Sequence, residues 1–177
     1  MIKPVKSRGL IYFRKLYLGM IFMIFSFQVA SQENPPIPIE VEVRTARFLD
    51  FGAFTTGVGT GQLHISYDST PTPTGDVYMI NGRVVTSALF DVYANPGTII
   101  NIMPASPNFI LYGSDGGQMT VSIADSDYST GSTFITTANA DMPNEVYVGG
   151  TLDVSSIDSA NPAGKYTGTI IINFIQE

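Results

Sequence analysis

The chain ends in a segment whose side chains alternate between apolar and polar with a period of two. From Lys165 to Ile175, the residues that would share one face of a strand are Tyr166, Ile170, Ile172 and Phe174. β-Branched and aromatic residues spaced in this way are typical of a half-buried strand. We therefore predict one core strand over Lys165–Ile175 and an antiparallel β-sandwich that this strand closes.

Shorter segments with the same period recur through the preceding part of the chain, and turn residues separate them. No stretch shows a sustained period of 3.6, so the spacing predicts an all-β protein, a sandwich or a barrel. The fold that we expect overall is an immunoglobulin-like antiparallel β-sandwich with Greek-key connections. The predicted strands are 39–45, 48–54 with a bend or bulge at Gly52, 62–68, 77–80, 83–86, 88–92, 98–103, 108–112, 118–124, 133–137, and 146–154 interrupted at Gly149-Gly150.

Glycine and proline clusters predict where the chain turns. Asn81-Gly82 is a strong signal for a two-residue hairpin turn, here between 77–80 and 83–86. Gly113–Gly117 predicts a second hairpin turn, and Gly57–Gly61 a glycine-rich turn. Ser69–Gly75, with two prolines and three threonines, is interpreted as a loop.

The first 31 residues have the layout of a signal peptide. Five basic residues and no acid precede Leu16–Phe27, an apolar run of twelve residues, and small residues follow up to Ser31. A spanning helix needs about 20 apolar residues, whereas signal peptides use roughly 7–15. We predict a helical signal peptide over 1–31, cleaved after Ser31 or one residue earlier, and a single β-sandwich domain over 32–177. An uncleaved membrane anchor is the alternative.

Charge and cysteine content restrict the function of the remaining domain. After residue 31 the chain has four basic residues and all fifteen of its acidic residues, which gives this part a net charge of −11. Such a surface repels phosphate backbones and anionic lipid, so binding of nucleic acid or of a membrane surface is not expected. The chain has no cysteine, which excludes a lipid anchor on a cysteine and leaves packing to stabilise the exported domain.

Five segments together resemble an exported bacterial family known as domain of unknown function 4402. They are Phe48–Gly52, Phe90–Gly97, Ile100–Pro104, Tyr147–Val154 and Ala163–Thr169. The family is similar to pilin-like and spore-coat-like sandwiches that export chaperones handle. The resemblance implies a β-sandwich in the periplasm, on the outer surface or secreted by a Gram-negative bacterium, and it implies no activity. The extra prolines of Ser69–Gly75 and the segment Asp125–Asp141 depart from the family pattern.

Few residues are candidates for chemistry. His64 is the single histidine, and because Leu63 and Ile65 point inward we expect it to face solvent, away from any catalytic pocket. Asp115, Asp125, Asp127 and Asp141 could offer oxygens to calcium, but their spacing lacks the glycine and the glutamate of a calcium-binding hand.

Other site types fit no better. Gly57–Gly61 lacks the lysine and the following helix of a phosphate-binding loop. The chain has no tryptophan to line a sugar-cleaving cleft. We therefore predict no catalytic residue, no metal ligand, no cofactor and no enzyme activity.

The expected role is that of an exported structural or surface protein. The hypothesis is a fimbria-like subunit that associates with itself or with other surface proteins through edge strands, by β-strand addition. The proline-rich segment Gln32–Pro38, ahead of Ile39, would be the donor, and Lys165–Ile175 the acceptor or closing strand. The alternative is an extracellular module that binds carbohydrate or calcium, and a hydrolase is a third possibility. We expect no nucleic-acid partner and no membrane span after cleavage.

Overall fold

The structure is a computed structural model of the 177-residue chain, and it describes residues 40–43, 47–155 and 161–177. The chain divides into two compact units, Met1–Pro35 and Pro36–Glu177, and every described residue lies in the second. The predicted signal peptide over 1–31 and the proline-rich segment Gln32–Pro38 lie outside the described residues. Of residues 40–43, only the backbone is described.

The described ranges are built almost entirely from strands, which confirms the predicted all-β class. The helical exception is a 3₁₀ turn at Asp125–Asp127, and no helix in these ranges is long and apolar enough to cross a membrane. The twelve strands are β1 (Glu40–Val43), β2 (Phe54–Ile65), β3 (Pro71–Met79), β4 (Ala88–Tyr93), β5 (Ile99–Pro104), β6 (Asn108–Gly113), β7 (Gln118–Ser122), β8 (Thr133–Ile135), β9 (Asn144–Val148), β10 (Gly150–Val154), β11 (Tyr166–Thr167) and β12 (Ile172–Gln176).

The strands form three antiparallel sheets. The largest has six strands in the order β11-β6-β7-β10-β2-β3, and the other two have the orders β1-β4-β9 and β12-β5-β8. Two of the pairings, β2 with β3 and β6 with β7, join strands that follow each other in the chain. The remaining pairings join distant segments, such as β1 with β4 and β5 with β12. The chain therefore crosses repeatedly between sheets.

One hydrophobic cluster joins all three sheets. The six-stranded sheet contributes Leu63 and Val121, β9 contributes Val146, and β5 contributes Ile100, each with no exposed surface. Burying a side chain of this size stabilises a fold by about 1.5–3 kcal/mol relative to leaving it in water. Because the inner faces of separate sheets share this core, the fold is a β-sandwich, as predicted.

Two segments predicted as turn or loop form strands in the structure. Gly57–Gly61 lies within β2, where the register with β3 shifts between Thr56 and Gly61. Of the predicted loop Ser69–Gly75, only Ser69 and Thr70 lie outside a strand, because Pro71 begins β3 and pairs with Ile65. β3 is the outermost strand of its sheet, and an edge strand tolerates prolines because its outer amides need no partner. A loop and a bulged pair of strands at a sheet edge have similar amino-acid compositions, so composition alone did not distinguish them.

The predicted hairpin at Asn81-Gly82 is wrong in its second arm. The chain does turn there, and Gly82 has a φ of 92°. Residues 83–86 form no strand, and only Thr86 makes an isolated bridge, to Asp50. Residues 77–79 pair with β2 instead, so the turn connects β3 to a coil segment. The predicted strand 48–54 is likewise coil up to its last residue, with a bend at Gly52, whose φ is 72°.

Two predicted continuous strands are each divided between two sheets. Val146–Val154 separates at Gly149 into β9 and β10, which belong to different sheets. Lys165–Ile175 separates into β11, which pairs with β6, and β12, which pairs with β5. Tyr166, Ile170, Ile172 and Phe174 nevertheless all pack against the core, as the alternation predicted. Alternation identifies the inner face of a segment but not the sheet that the segment joins.

The hairpin of β6 and β7 matches its prediction. Phe109 pairs with Val121 and Tyr112 with Gln118, so residues 113–117 form the turn. The inward side chains of the second arm are Met119, Val121 and Ile123, each at most 8% exposed. The predicted turn at Asn95-Pro96-Gly97 is also present, with a φ of 87° at Gly97.

Candidate functional site

His64 lies on the outer face of the six-stranded sheet, as predicted, but it has close polar neighbours that the sequence did not indicate. Its Nδ1 is 3.0 Å from Thr151 Oγ1, directly across the β2–β10 pair. The same nitrogen is 3.7 Å from Asp127 Oδ1, and the side chain of Asp127 is only 3% exposed. The 3₁₀ turn brings the carboxylate of Asp127 to the sheet. The sequence around His64 does not indicate this contact, because it depends on tertiary packing.

The cluster formed by His64, Thr151 and Asp127 does not have the arrangement of a catalytic relay. In a relay, the carboxylate contacts one ring nitrogen and the hydroxyl nucleophile contacts the other. Here Thr151 and Asp127 both face Nδ1. Asp127 also has structural partners, because its Oδ2 accepts from the amide of Ala124 at 2.8 Å and its carbonyl accepts from the amide of Gly149 at 2.8 Å. The cluster therefore fixes the 3₁₀ turn against the start of β10.

The four aspartates considered for calcium are distributed over separate loops. Asp115 is in the β6–β7 turn, Asp125 and Asp127 are in the 3₁₀ turn, and Asp141 lies between β8 and β9. Within the described ranges, no three or more histidine, cysteine or acidic side chains lie close enough to hold a metal ion. The described carboxylates thus provide far fewer than the six to eight oxygens that calcium uses.

Tyr128 is the titratable group most affected by its surroundings. Its side chain is 3% exposed, and its hydroxyl has no hydrogen-bond partner within the described chain. Burial raises the pKa of Tyr128 to about 12, and the nearby carboxylates of Asp125 and Asp127 add to the effect. Each of these influences disfavours the phenolate. The buried phenol of Tyr128 is therefore neutral at ordinary pH.

The outermost strands differ in how well their edges are protected against pairing with another chain. Proteins usually shorten, charge, cover or interrupt such edges. β3 contains prolines, β8 and β11 have three and two residues, and β1 contains two glutamates. The edge of β9 is covered, because the amide of Ser129 donates to the carbonyl of Tyr147 at 2.9 Å. β12 has five residues, Ile-Asn-Phe-Ile-Gln, with no proline, glycine or charge.

The hydrogen bonds of β12 show which of its amides face outward. The amide of Glu177 donates to Ile99 at 3.2 Å, and the carbonyl of Ile171 accepts from Ala105 at 2.9 Å. Alternate residues of an antiparallel strand bond to the same neighbour, so the amides of Ile172, Phe174 and Gln176 point away from β5. Among the described strands, β12 pairs with β5 alone. Within the described residues, no strand pairs with its outer edge.

The outer face of the β12-β5-β8 sheet is largely apolar. Its exposed large side chains are Ile99, Met103, Ile135 and Ile175, which are between 38% and 60% exposed. The polar side chains between them bond to one another: Asn101 donates to Glu177 at 2.6 Å and accepts from Thr133 at 2.6 Å. The open edge of β12 therefore borders an apolar face with a single charged side chain, Glu177.

A second surface feature is a groove of about 1120 Å³ at one end of the sandwich. Its walls are the coil segment 48–54, the residues after the Asn81-Gly82 turn, and the segment 162–170. Its floor is formed by inward side chains of the six-stranded sheet: Leu111, Met119 and Leu152. The groove could not be predicted from the sequence, because its walls come from segments that are distant in the chain and that carry no common local pattern.

Of three comparisons with known proteins, the one with family models found a match. The family model described as Domain of unknown function (DUF4402) matches residues 41–175, which span β1 to β12. No curated protein and no solved structure matches the chain. The family match covers most of the chain, and it includes all five segments on which the resemblance rested. The chain belongs to the family Domain of unknown function (DUF4402).

Proposed function

We propose that this chain is an exported, non-enzymatic structural or surface subunit that assembles by β-strand addition, with β12 as the acceptor edge. The observation that carries the proposal is the unprotected edge of β12, with outward amides at Ile172, Phe174 and Gln176. Main-chain hydrogen bonds supply affinity in strand addition, and pockets for alternate side chains supply specificity. The apolar face beside the edge would add contact area to such a joint.

The donor is the segment that precedes β1. Its prolines favour an extended backbone, which lowers the entropy lost when a chain is ordered as a strand. In the sequence Ile37-Pro38-Ile39 the two isoleucines stand two positions apart, so both would lie on the same side of an extended donor and would pack against the apolar face. Export through the predicted leader would bring this segment to the amino terminus of the mature protein.

The test is the size of the mature protein, measured by light scattering after size-exclusion chromatography over a range of concentrations. Gln176→Pro removes an amide that points outward, so it should block strand addition without removing a bond to β5. Gln176→Ala is the matched control, and a chain that lacks residues 32–38 tests the donor. We expect concentration-dependent assembly of the wild type and of Gln176→Ala, and monomers of the other two.

The stability of each variant decides how its size is interpreted. Urea unfolding should give Gln176→Pro a midpoint close to that of Gln176→Ala, because the β5 ladder stays intact. Wild-type protein that stays monomeric at every soluble concentration would refute the assembly proposal. Assembly that persists in Gln176→Pro would refute β12 as the acceptor. Sequencing the amino terminus of the exported protein tests cleavage near Ser31.

A further inference from the structure

The groove at the end of the sandwich differs in charge from the rest of the molecule. Among the described residues, its lining includes Arg83 and Lys165 on different walls, and one carboxylate, Asp50. After residue 31 the chain has four basic and fifteen acidic residues, so half of its cations line this groove. Asp50 is already engaged, since its Oδ1 accepts from the amide of Gly52 at 2.7 Å. The groove therefore has a local positive charge on an acidic protein.

The lower part of the groove is apolar. Leu111, Met119 and Leu152 form the floor, and Phe51 and Ile170 line the sides. Thr56 also lines the groove, and its hydroxyl is buried with no hydrogen-bond partner within the described chain. A buried hydroxyl without a partner costs free energy, and a ligand oxygen would satisfy it. An apolar floor, cationic walls and an unused hydroxyl define the chemistry that a ligand must match.

We propose that the groove binds a free long-chain carboxylate, with its alkyl chain on the apolar floor and its carboxylate between Arg83 and Lys165. Charge complementarity selects the ligand. Residues 32–177 carry a net charge of −11, which repels anions in general, so an anion would bind only where the local sign is reversed. A neutral or cationic alkyl compound would gain the apolar contact without the two ion pairs. Sites for small molecules are commonly about 300–1,000 Å³, and the groove, at about 1120 Å³, is slightly larger than that range, which leaves room for an extended alkyl chain.

This proposal goes beyond the assembly role and does not depend on it. The groove lies on coil segments and on the six-stranded sheet, whereas the acceptor edge belongs to the β12-β5-β8 sheet. The variant Gln176→Pro should therefore bind carboxylate as the wild type does. The two proposals can fail separately.

The experiment is isothermal titration of the exported, purified protein with octanoate, decanoate and dodecanoate below their micelle concentrations. Each added methylene buried on the floor should tighten binding about fourfold, from about 0.8 kcal/mol per CH₂. Decanol and decyltrimethylammonium test the charge requirement, and both should bind more weakly than decanoate. Vesicles of anionic phospholipid and the peptide Ile-Glu-Val-Glu-Val test other anionic partners.

Substitutions test whether the carboxylate binds at Arg83 and Lys165. Arg83→Gln and Lys165→Gln should each weaken decanoate binding by up to about fivefold, the range of an exposed ion pair, and the double variant by more. Gln176→Glu changes the net charge by the same amount away from the groove and should bind as the wild type does. Binding of decanol equal to that of decanoate, or unchanged binding by the double variant, would overturn the proposal. So would absence of decanoate binding, or binding of the vesicles or peptide alone.

Discussion

Gly149 offers a sharp test of the packing where β9 ends and β10 begins, because an added methyl group there would collide with the backbone at the end of β2. An ideal Cβ at Gly149 would lie 2.1 Å from the carbonyl oxygen of Ile65 and 2.9 Å from the carbonyl carbon of Ser66. Gly150, the next residue, has room by comparison: its nearest neighbour would be the carbonyl oxygen of Ser122 at 3.2 Å. Both glycines are buried, so they make a matched pair. We predict that Gly149→Ala is strongly destabilising and that Gly150→Ala is not.

The magnitude follows from the distances. Carbon and oxygen approach each other to about 3.3 Å in favourable contacts, so Gly149→Ala must move backbone atoms by about 1 Å. Overpacking in a core commonly costs about 1–3 kcal/mol, and here the obstacle is a strand that cannot rotate away. We therefore expect a loss of about 3 kcal/mol or more. For Gly150→Ala, mild crowding is offset by the lower entropy of the unfolded chain, about 0.4–1 kcal/mol, so the net change stays within about 1 kcal/mol.

The assay is urea unfolding followed by far-ultraviolet circular dichroism. With a slope of about 2 kcal/mol per molar urea, a loss of 3 kcal/mol lowers the midpoint by about 1.5 M. The midpoint for Gly150→Ala should lie within about 0.5 M of the wild type. Equal midpoints for the two variants would show that the close approach of β2 to Gly149 is not a determinant of stability. A larger loss for Gly150→Ala would reverse the expected order.

Two further predictions concern single polar groups. Burial raises the pKa of Tyr128 to about 12, so above pH 10 the unfolded chain releases a proton that the folded chain retains, and stability should fall between pH 10 and 12. The variant Tyr128→Phe should lose less stability over this range, as measured by urea midpoints at several pH values. An identical pH profile for the variant and the wild type would contradict the assignment. Asp76 Oδ2 accepts from the amide of Gly59 at 2.7 Å within the β2–β3 bulge. Asp76→Ala should therefore cost about 1–3 kcal/mol and Asp76→Asn less, and equal midpoints for the two would argue against this hydrogen bond.

Local patterns predicted the parts of the fold whose partners are close in sequence. The β6–β7 hairpin is set by five turn residues and by apolar positions such as Val121, and both features can be read from one short segment. The prediction failed where glycine and proline residues lie in an edge strand of the sheet or in the strand beside it. Residues 57–60 form the bulge of β2, residues 61–65 pair with 71–75 of β3, and Asp76 fills the space beside Gly57 and Gly59. Such a pair is stabilised by tertiary contacts that override local preference.

The candidate sites show the same division between local and distant information. The outward position of His64 followed from its neighbours in sequence, but its proximity to Asp127 depends on a turn that is distant in the chain. The open edge of β12 could not be predicted from alternation alone, since the pattern does not reveal whether one or two neighbours flank a strand. The groove depends on the split of Lys165–Ile175 into β11 and β12, which period-two reasoning treated as one strand.

The connectivity of the sheets also bears on how quickly the chain can fold. Most ladders, including β1 with β4, β2 with β10 and β5 with β12, join segments that are far apart in sequence. Closing such loops loses chain entropy before the stabilising contacts have formed. Proteins rich in pairings between segments distant in sequence therefore fold in milliseconds to seconds. Since the chain has no cysteine, no oxidation step can hold early pairings together. The molecule must therefore remain open for a comparatively long time, during which its unpaired strands are available to neighbours.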